Sequence, residues 1–284
     1  MPQTAGQLFK ELVIKLTGIY DSSEAKAISY LLLEEKFDIP KSSIILNKEI
    51  HHQEEDDDRL STLAERLKNH EPIQHILGKG YFFNRWFKIT PDVLVPRQET
   101  EELVARIIKD NRRKSGQKIL DIGTGSGNII ISLGLELQEP KLYAWDISTQ
   151  ALIIAEQNAE SLGVEVDFET KDIFEAKEYE EKFDIIVSNP PYVKMSEKLK
   201  MKKNVLKFDP PEALFVPNDD PLKFYRKIGE FALSNLNEKG KLYFEVNESL
   251  GNDTADLIYG MGFTRVKLMQ DLNNKDRFIS AVKP

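Results

Sequence analysis

Asn189-Pro190-Pro191-Tyr192 follows directly on the apolar run Phe183-Asp184-Ile185-Ile186-Val187-Ser188. A buried strand ending in Asn-Pro-Pro-aromatic gathers an amide oxygen, carbonyls that no proline N–H can pair with, and a flat ring at one spot. Such a spot suits a planar NH2 group. The Asn189 side-chain oxygen and the Pro190 carbonyl can accept its two hydrogens, Pro191 limits backbone motion, and Tyr192 can stack on its plane. The nitrogen of an amide or an exocyclic amine is a poor nucleophile because its lone pair is delocalised. Accepting both N–H bonds favours a pyramidal nitrogen, aims the lone pair and stabilises the positive charge that grows during attack. The electrophile must then be strong already. In isolation the tetrapeptide also reads as a proline turn after a strand, and the residues upstream decide between the two.

Lys118 to Asn128 is an apolar strand running into Gly123-Thr124-Gly125-Ser126-Gly127 and then a helix. Glycine permits φ > 0 and close backbone approach, and a helix N-terminus offers N–H groups to a polar ligand. A dinucleotide fingerprint has G-x-G-x-x-G; here the third glycine comes one residue early and Asn128 stands where that fingerprint has glycine. These five residues are the candidate cofactor cradle, against the alternative of a tight turn with no ligand. Tyr143-Ala144-Trp145-Asp146 ends a second apolar strand in a carboxylate, which at the edge of a parallel sheet can accept both hydroxyls of a ribose. Alone, Asp146 would read as a turn residue, with Ser148 capping the next helix. Ile147 beside it is grouped with the cofactor residues, as is Asn189 at the end of the strand expected beside the one that feeds the glycine loop. At a third edge, Asp172 can accept from an adenine amino group while Ile173 borders its face; a loop Asp with a buried Phe174 explains that segment equally well. S-adenosylmethionine fits this set, because its sulfonium methyl needs neither metal nor enzyme nucleophile, and S-adenosylhomocysteine would be the product. The proton released can leave to water, so no acid–base pair is required. The histidines His51, His52, His70 and His75 lie far from these edges in sequence and read as surface or helix-packing residues.

A parallel sheet must hold these edges. Strands are expected at 117–122, 141–146, 164–169, 183–188, 240–246, 264–269 and 277–283, alternating with helices near 126–136, 148–161, 221–236 and 250–260. A helix from Gln98 to about Arg112 precedes them. Residues 4 to about 75 read as helices, with Leu8, Leu12 and Leu16, Ile28 with Leu31 and Leu32, then Leu60, Leu63 and Leu67 at helical spacing. Ser22 is the expected cap and Pro40 a break. Between them, Tyr81-Phe82-Phe83, Trp86 to Ile89 and Val93-Leu94-Val95 read as short strands of a hairpin region. The expected domains are 1–75, 76–97 and 98–284.

Composition narrows the class. At 284 residues the chain has room for one large domain and a smaller one. It has no cysteine, which removes disulfides and thiolate metal sites and fits a reducing cytoplasm. No metal is expected. No run approaches a membrane span, and Met1-Pro2-Gln3-Thr4-Ala5-Gly6 lacks the features of a signal peptide. The net charge is -8, which disfavours direct nucleic-acid binding, and the run Glu54-Glu55-Asp56-Asp57-Asp58 reads as a solvated helix start. A soluble monomer is expected.

Together these residues resemble the release-factor glutamine methyltransferases, the PrmC/HemK family. The matching segments are Glu71 to Gly78, Val95-Pro96-Arg97-Gln98-Glu99-Thr100-Glu101-Glu102-Leu103, Leu120 to Gly127, Ser188 to Tyr192 and Asp276-Arg277-Phe278. Asn-Pro-Pro-Tyr is shared with adenine and cytosine amino-methyltransferases; the Pro-Arg-x-Glu-Thr-Glu segment is far more specific. The resemblance implies a Rossmann-like class I methyltransferase domain, with a seven-stranded mostly parallel sheet, preceded by a small all-helical substrate-recognition domain and a linking β-hairpin. It implies methyl transfer from S-adenosylmethionine to the side-chain amide of the glutamine in the Gly-Gly-Gln motif of peptide-chain release factors, modulating translation termination. Gly123 to Gly127 and Asp146 would hold the cofactor, Ile173 would border its adenine, and Asn189, Pro190, Pro191 and Tyr192 would grip the glutamine amide. Phe208-Asp209-Pro210 replaces the usual Tyr-Glu-Pro, and Asn247 and Leu250 stand where Gly and Gln are usual. The rival reading is a DNA or RNA amino-methyltransferase, because Asn189 to Tyr192 cannot tell an amide from a flipped base. Against it, residues 1 to 80 carry 10 Lys+Arg and 14 Asp+Glu. A non-catalytic binder of S-adenosylmethionine is the third reading, which the intact Asn189 opposes.

Overall fold

The computed structural model describes residues 3–51, 53–176, 179–201 and 203–284, so Met1, Pro2 and His52, which figure in the sequence reading, lie outside the described residues. The chain divides into two compact units, Met1–Lys79 with Lys202–Phe208, and Gly80–Met201 with Asp209–Pro284.

The first unit holds α1 (Ala5–Leu16), α2 (Ser22–Phe37), α3 (Lys41–Ile45), α4 (Glu54–Lys68) and α5 (Ile73–Leu77). Thr4 and Gln7 close a capping box on α1. The cap of α2 is Asp21, not the expected Ser22: the Asp21 carboxylate accepts from the Ser23 and Glu24 amides. An ionised side chain gains from the helix dipole as well as from the hydrogen bonds, which is why it takes the position one residue earlier. Pro40 stands at the N-cap of α3 and the acidic run opens α4. Leu8, Leu12, Leu16, Ile28, Leu32, Leu60, Leu63 and Leu67 are buried together; Leu33 joins them, whereas Leu31 is only partly buried. His75 packs edge-on to Phe208 with neither ring nitrogen hydrogen-bonded, and burial lowers its pKa.

In the second unit β1 (Lys79–Phe82) and β2 (Arg85–Lys88) form the hairpin. Phe83 and Asn84 turn it with φ of 45° and 64°, the left-handed pair a two-residue turn needs. Val93 to Val95 forms no strand; the Val93 amide is spent on the Thr90 carbonyl and the Val95 amide on Asp209, and Pro91 and Pro96 on either side have no N–H to extend a ladder. Then follow α6 (Gln98–Asn111), β3 (Lys118–Ile122), α7 (Asn128–Glu136), β4 (Lys141–Asp146), α8 (Thr149–Leu162), β5 (Asp167–Thr170), β6 (Phe183–Ser188) and the short β7 (Val193–Lys194). The next helix, α9 (Lys203–Phe208), belongs to the first unit. The second unit resumes with β8 (Phe215–Val216), α10 (Lys223–Asn235), β9 (Leu236–Glu245), α11 (Gly251–Gly260), β10 (Thr264–Gln270) and β11 (Asp276–Val282). Seven strands form one sheet in the order β10-β11-β9-β6-β3-β4-β5. Its five strands from β9 to β5 are mutually parallel, and β11 runs antiparallel to both of its neighbours.

Alternation along each strand sends side chains to opposite faces. Ile119, Ile185, Val187 and Tyr243 pack with Leu103, Ile107, Ile130 and Ile154 from α6, α7 and α8. Leu120, Ile186, Leu242 and Phe244 pack with Tyr225, Ile228, Phe231 and Ile258 from α10 and α11. The strand expected at 164–169 begins later, at Asp167, because Gly163 is left-handed and the Val164 amide is spent on the Ala159 carbonyl that ends α8. Among the described residues no helix is long and apolar enough to cross a membrane, and no group of three or more His, Cys, Asp or Glu could hold a metal ion.

Candidate active site

Sheet register brings the singled-out residues into one row. Ile122 pairs with Trp145 on one side and with Ser188 on the other, and Ser188 pairs with Phe244. The next residue of each strand, Gly123, Asp146, Asn189 and Glu245, therefore lies at the carboxyl edge of the sheet, where ligands of open parallel sheets bind. Asp146 also pairs with Thr170, and the Lys171 amide donates to the Asp146 carbonyl, which carries the row on to Asp172.

The glycine loop is anchored on both sides. Gly123 and Thr124 amides donate to the Trp145 carbonyl, and the Ser126 carbonyl accepts from buried Asn158 of α8 at 2.9 Å. Gly123, Gly125 and Gly127 have φ of 75°, 56° and 77°, a region that disfavours a side chain. A Cβ on Gly127 would meet Ile131 Cδ1 at 2.8 Å, whereas one on Gly123 or Gly125 would meet nothing within 4 Å. The third glycine, the N-cap of α7, thus makes room for Ile131 of that helix and for Ala155 of α8, and the first two leave open space beside the backbone, as a cradle requires.

Asp146 is half-buried; its Oδ2 accepts from the Gly125 amide at 2.8 Å and its Oδ1 from the Ser148 amide at 2.9 Å. A carboxylate has about four acceptor sites, so acceptor capacity remains for ribose hydroxyls. Burial raises its pKa, and the backbone donors oppose that. Ser148 caps α8 as expected. Ile147 is 63% exposed and Ile173 is 6% exposed. Asp172 Oδ1 accepts from the Phe174 amide. Phe174, read from sequence as buried, is 40% exposed and stands edge-on to Phe224. Acceptors, open backbone and apolar surface along this edge fit a nucleoside with a charged tail.

At Asn189 the geometry is simple. Its Nδ2 lies 3.5 Å from Thr100 Oγ1; among the described residues nothing donates to its Oδ1 or to the Pro190 carbonyl. A recess lined by Leu94, Arg97, Asn189, Tyr192, Val193 and Leu214 opens beside it. Tyr192 directs its hydroxyl to Glu245 Oε1 at 3.2 Å, and burial with the Glu245 charge raises the phenol pKa. Arg97 faces Asp209 at 3.5 Å.

Two residues of this site escape sequence reading. Glu245 is 1% exposed and accepts from Thr100 Oγ1 at 2.7 Å; burial raises its pKa, opposed by the Thr100 hydroxyl and by the charges of Arg277 and Arg97. Its signal was available, since Leu242-Tyr243-Phe244-Glu245 ends an apolar strand in a carboxylate as Asp146 does. Asp121, at the heart of β3, is fully buried and accepts from Thr124 Oγ1 at 2.7 Å.

Residues 99–210 match the family model of the methyltransferase small domain, and residues 7–78 match that of the PrmC N-terminal domain. A release factor glutamine methyltransferase of Bacteroides thetaiotaomicron is 43% identical over 94% of this chain and 95% of its own length. That of Flavobacterium psychrophilum is 41% identical over 95% of each chain. Among solved structures, a methyltransferase from Pyrococcus furiosus, 21% identical, aligns with a TM-score of 0.52 over 78% of this chain and 98% of that one. That likeness shows the class I methyltransferase fold. Matched almost end to end with such relatives, the chain belongs to the release factor glutamine methyltransferase family.

Proposed function

We propose that the chain transfers a methyl group from S-adenosylmethionine to the side-chain amide nitrogen of the glutamine in the Gly-Gly-Gln motif of peptide-chain release factors. The observation that carries this reading is the unpartnered Asn189 Oδ1, beside a recess and in one row with the glycine loop and Asp146. Gly123 to Gly127, Asp146, Ile147, Asp172 and Ile173 would hold the cofactor. When bound, S-adenosylmethionine supplies an electrophilic methyl on a sulfonium.

The chain's own residues act on the other reactant. Asn189 Oδ1 and the Pro190 carbonyl accept the two hydrogens of the glutamine NH2, which draws the nitrogen toward a pyramidal shape and aims its lone pair. As nitrogen becomes cationic, the same two oxygens stabilise its charge. Tyr192, held by Glu245, walls the recess. The surplus proton passes to water. Residues 1–75 are assigned to substrate recognition, 76–97 to the linking hairpin and 98–284 to the methyltransferase domain, acting as a cytoplasmic monomer without metal.

The test is incubation with labelled S-adenosylmethionine and three substrates: a purified release factor, its Gln→Ala variant at the Gly-Gly-Gln motif, and duplex DNA. Label is expected on the native factor alone. Label on DNA, or on the variant as strongly as on the native factor, overturns the assignment.

A further inference from the structure

We propose that Glu245 and Thr100 form a positioning relay that decides which end of the Asn189 side-chain amide faces the substrate. The inference deepens the function proposed above and rests on it for the identity of the substrate, but not for the geometry. An asparagine amide has two ends of nearly the same size, one an acceptor and one a double donor. Shape alone does not choose between them. Methylation of an NH2 group requires the acceptor end outward; with the ends exchanged, donors would meet donors.

The choice follows from counting protons. Thr100, in the first turn of α6, is 3% exposed, and its hydroxyl has one hydrogen. That hydrogen is committed to Glu245 Oε2 across 2.7 Å, a short bond to a carboxylate and so the stronger claim on it. Toward Asn189, 3.5 Å away, Thr100 therefore presents only lone pairs. The Nδ2 end turns to Thr100, and Oδ1 is left facing away with no internal partner. Register makes the relay possible, because the Ser188–Phe244 pair sets Asn189 beside Glu245 on adjacent strands. The second Glu245 oxygen takes the Tyr192 hydroxyl at 3.2 Å, so one buried carboxylate fixes both ends of the tetrapeptide. The backbone carbonyl of Glu245 is itself held by the Tyr225 hydroxyl at 3.1 Å. In Glu245→Gln the substituted side chain could present its NH2 to Thr100, freeing the hydroxyl to donate toward Asn189 and favouring the reversed amide.

Full-length Glu245→Gln, Thr100→Val, Thr100→Ser and the Glu245→Gln/Thr100→Val double variant test the relay, with thermal unfolding run on each to confirm folding. Thr100→Val and Glu245→Gln are each expected to lower kcat about 10- to 100-fold on the release factor. Their affinity for S-adenosylmethionine by calorimetry should stay within about threefold of wild type, because neither residue is among those proposed to hold it. Thr100→Ser, which keeps the hydroxyl, should recover kcat to within about threefold, and the double variant should be no worse than about threefold below the weaker single one, since both lesions act on one relay. Full wild-type kcat in Thr100→Val, failure of serine to rescue, or multiplying losses in the double variant overturn the proposal.

A second readout is independent of the substrate. In the ligand-free wild type, the Asn189 side-chain amide protons, assigned by their absence in Asn189→Ala, should show a nuclear Overhauser contact to the Thr100 side chain that weakens in Glu245→Gln. Absence of that contact in wild type overturns the relay even if release factors are methylated. Its presence, with no methylation of any release factor by wild type, overturns the functional reading and supports the relay.

Discussion

Replacing Asn189 by alanine removes one of the two acceptors proposed to face the substrate nitrogen and leaves the proposed cofactor cradle of Gly123 to Gly127 and Asp146 untouched. The expected result is a kcat about 10²- to 10³-fold lower, the scale of losing one preorganised polar group that acts in the transition state. Cofactor affinity measured by calorimetry should remain within a few-fold, and unchanged turnover would remove Asn189 from its assigned role. At this scale the sequence placed a candidate residue on the carboxyl edge of the sheet wherever it ends a strand beside a rare local pattern, as Asn189 does before two prolines and Asp146 after Tyr143-Ala144-Trp145. It was not legible where a role depends on a partner remote in the chain. Thr100 and Glu245 are 145 positions apart and become one unit only through strand order. Two departures from the family pattern also acquire partners. Asn247 Nδ2 donates to the Tyr192 carbonyl at 3.2 Å, which a glycine could not do. Asp209 keeps an ion pair with Arg97, and burial pushes its pKa up to about 6.

Among the elements, α8 does more than cover the sheet. Its Asn158, 3% exposed, accepts from the Lys88 amide at 2.6 Å and donates to the Lys88 carbonyl at 3.1 Å and the Ser126 carbonyl at 2.9 Å. One side chain thus ties the hairpin strand β2, the glycine loop and α8 together. Asn158→Ala strands these backbone groups, so a loss of about 1–3 kcal/mol of unfolding free energy is expected in denaturant titration. Because the loop loses its anchor, S-adenosylmethionine should also bind more weakly, unlike in Asn189→Ala. Wild-type stability in the variant would show that water replaces the amide without cost. The alternating strands and helices from residue 117 onward could be read from periodicity, since each strand is a short apolar run between turn signals. The start of β5 and the absence of a strand at Val93 to Val95 could not, because the end of α8 claims the Val164 amide, and the Thr90 carbonyl and Asp209 claim the Val93 and Val95 amides.

Across the whole molecule, covering both faces of the sheet has an electrostatic consequence at its centre. Asp121 stands in the central strand β3, flanked by β4 and β6, with its Oδ1 unpartnered and Asp146 nearby. Burial, opposed by the Thr124 hydroxyl and reinforced by the Asp146 charge, pushes its pKa from the ordinary 3.8 up to about 7. Below about pH 4 the carboxyl is protonated in both folded and unfolded chains and favours neither. As pH rises toward 7, the unfolded chain releases this proton while the folded one keeps it, so stability falls through that window; above about 7 the folded group ionises and the loss is complete. The span between the two values caps the effect at about 4 kcal/mol. Asp121→Asn keeps the size and an acceptor for Thr124 but cannot titrate. The unfolding free energy of wild type relative to this variant should therefore drop steadily between pH 5 and about 7.5, as measured by urea titration at each pH. A difference that stays constant across that range would mean that Asp121 is ionised in the folded protein throughout, with water or backbone donors reaching the oxygen that now has no partner.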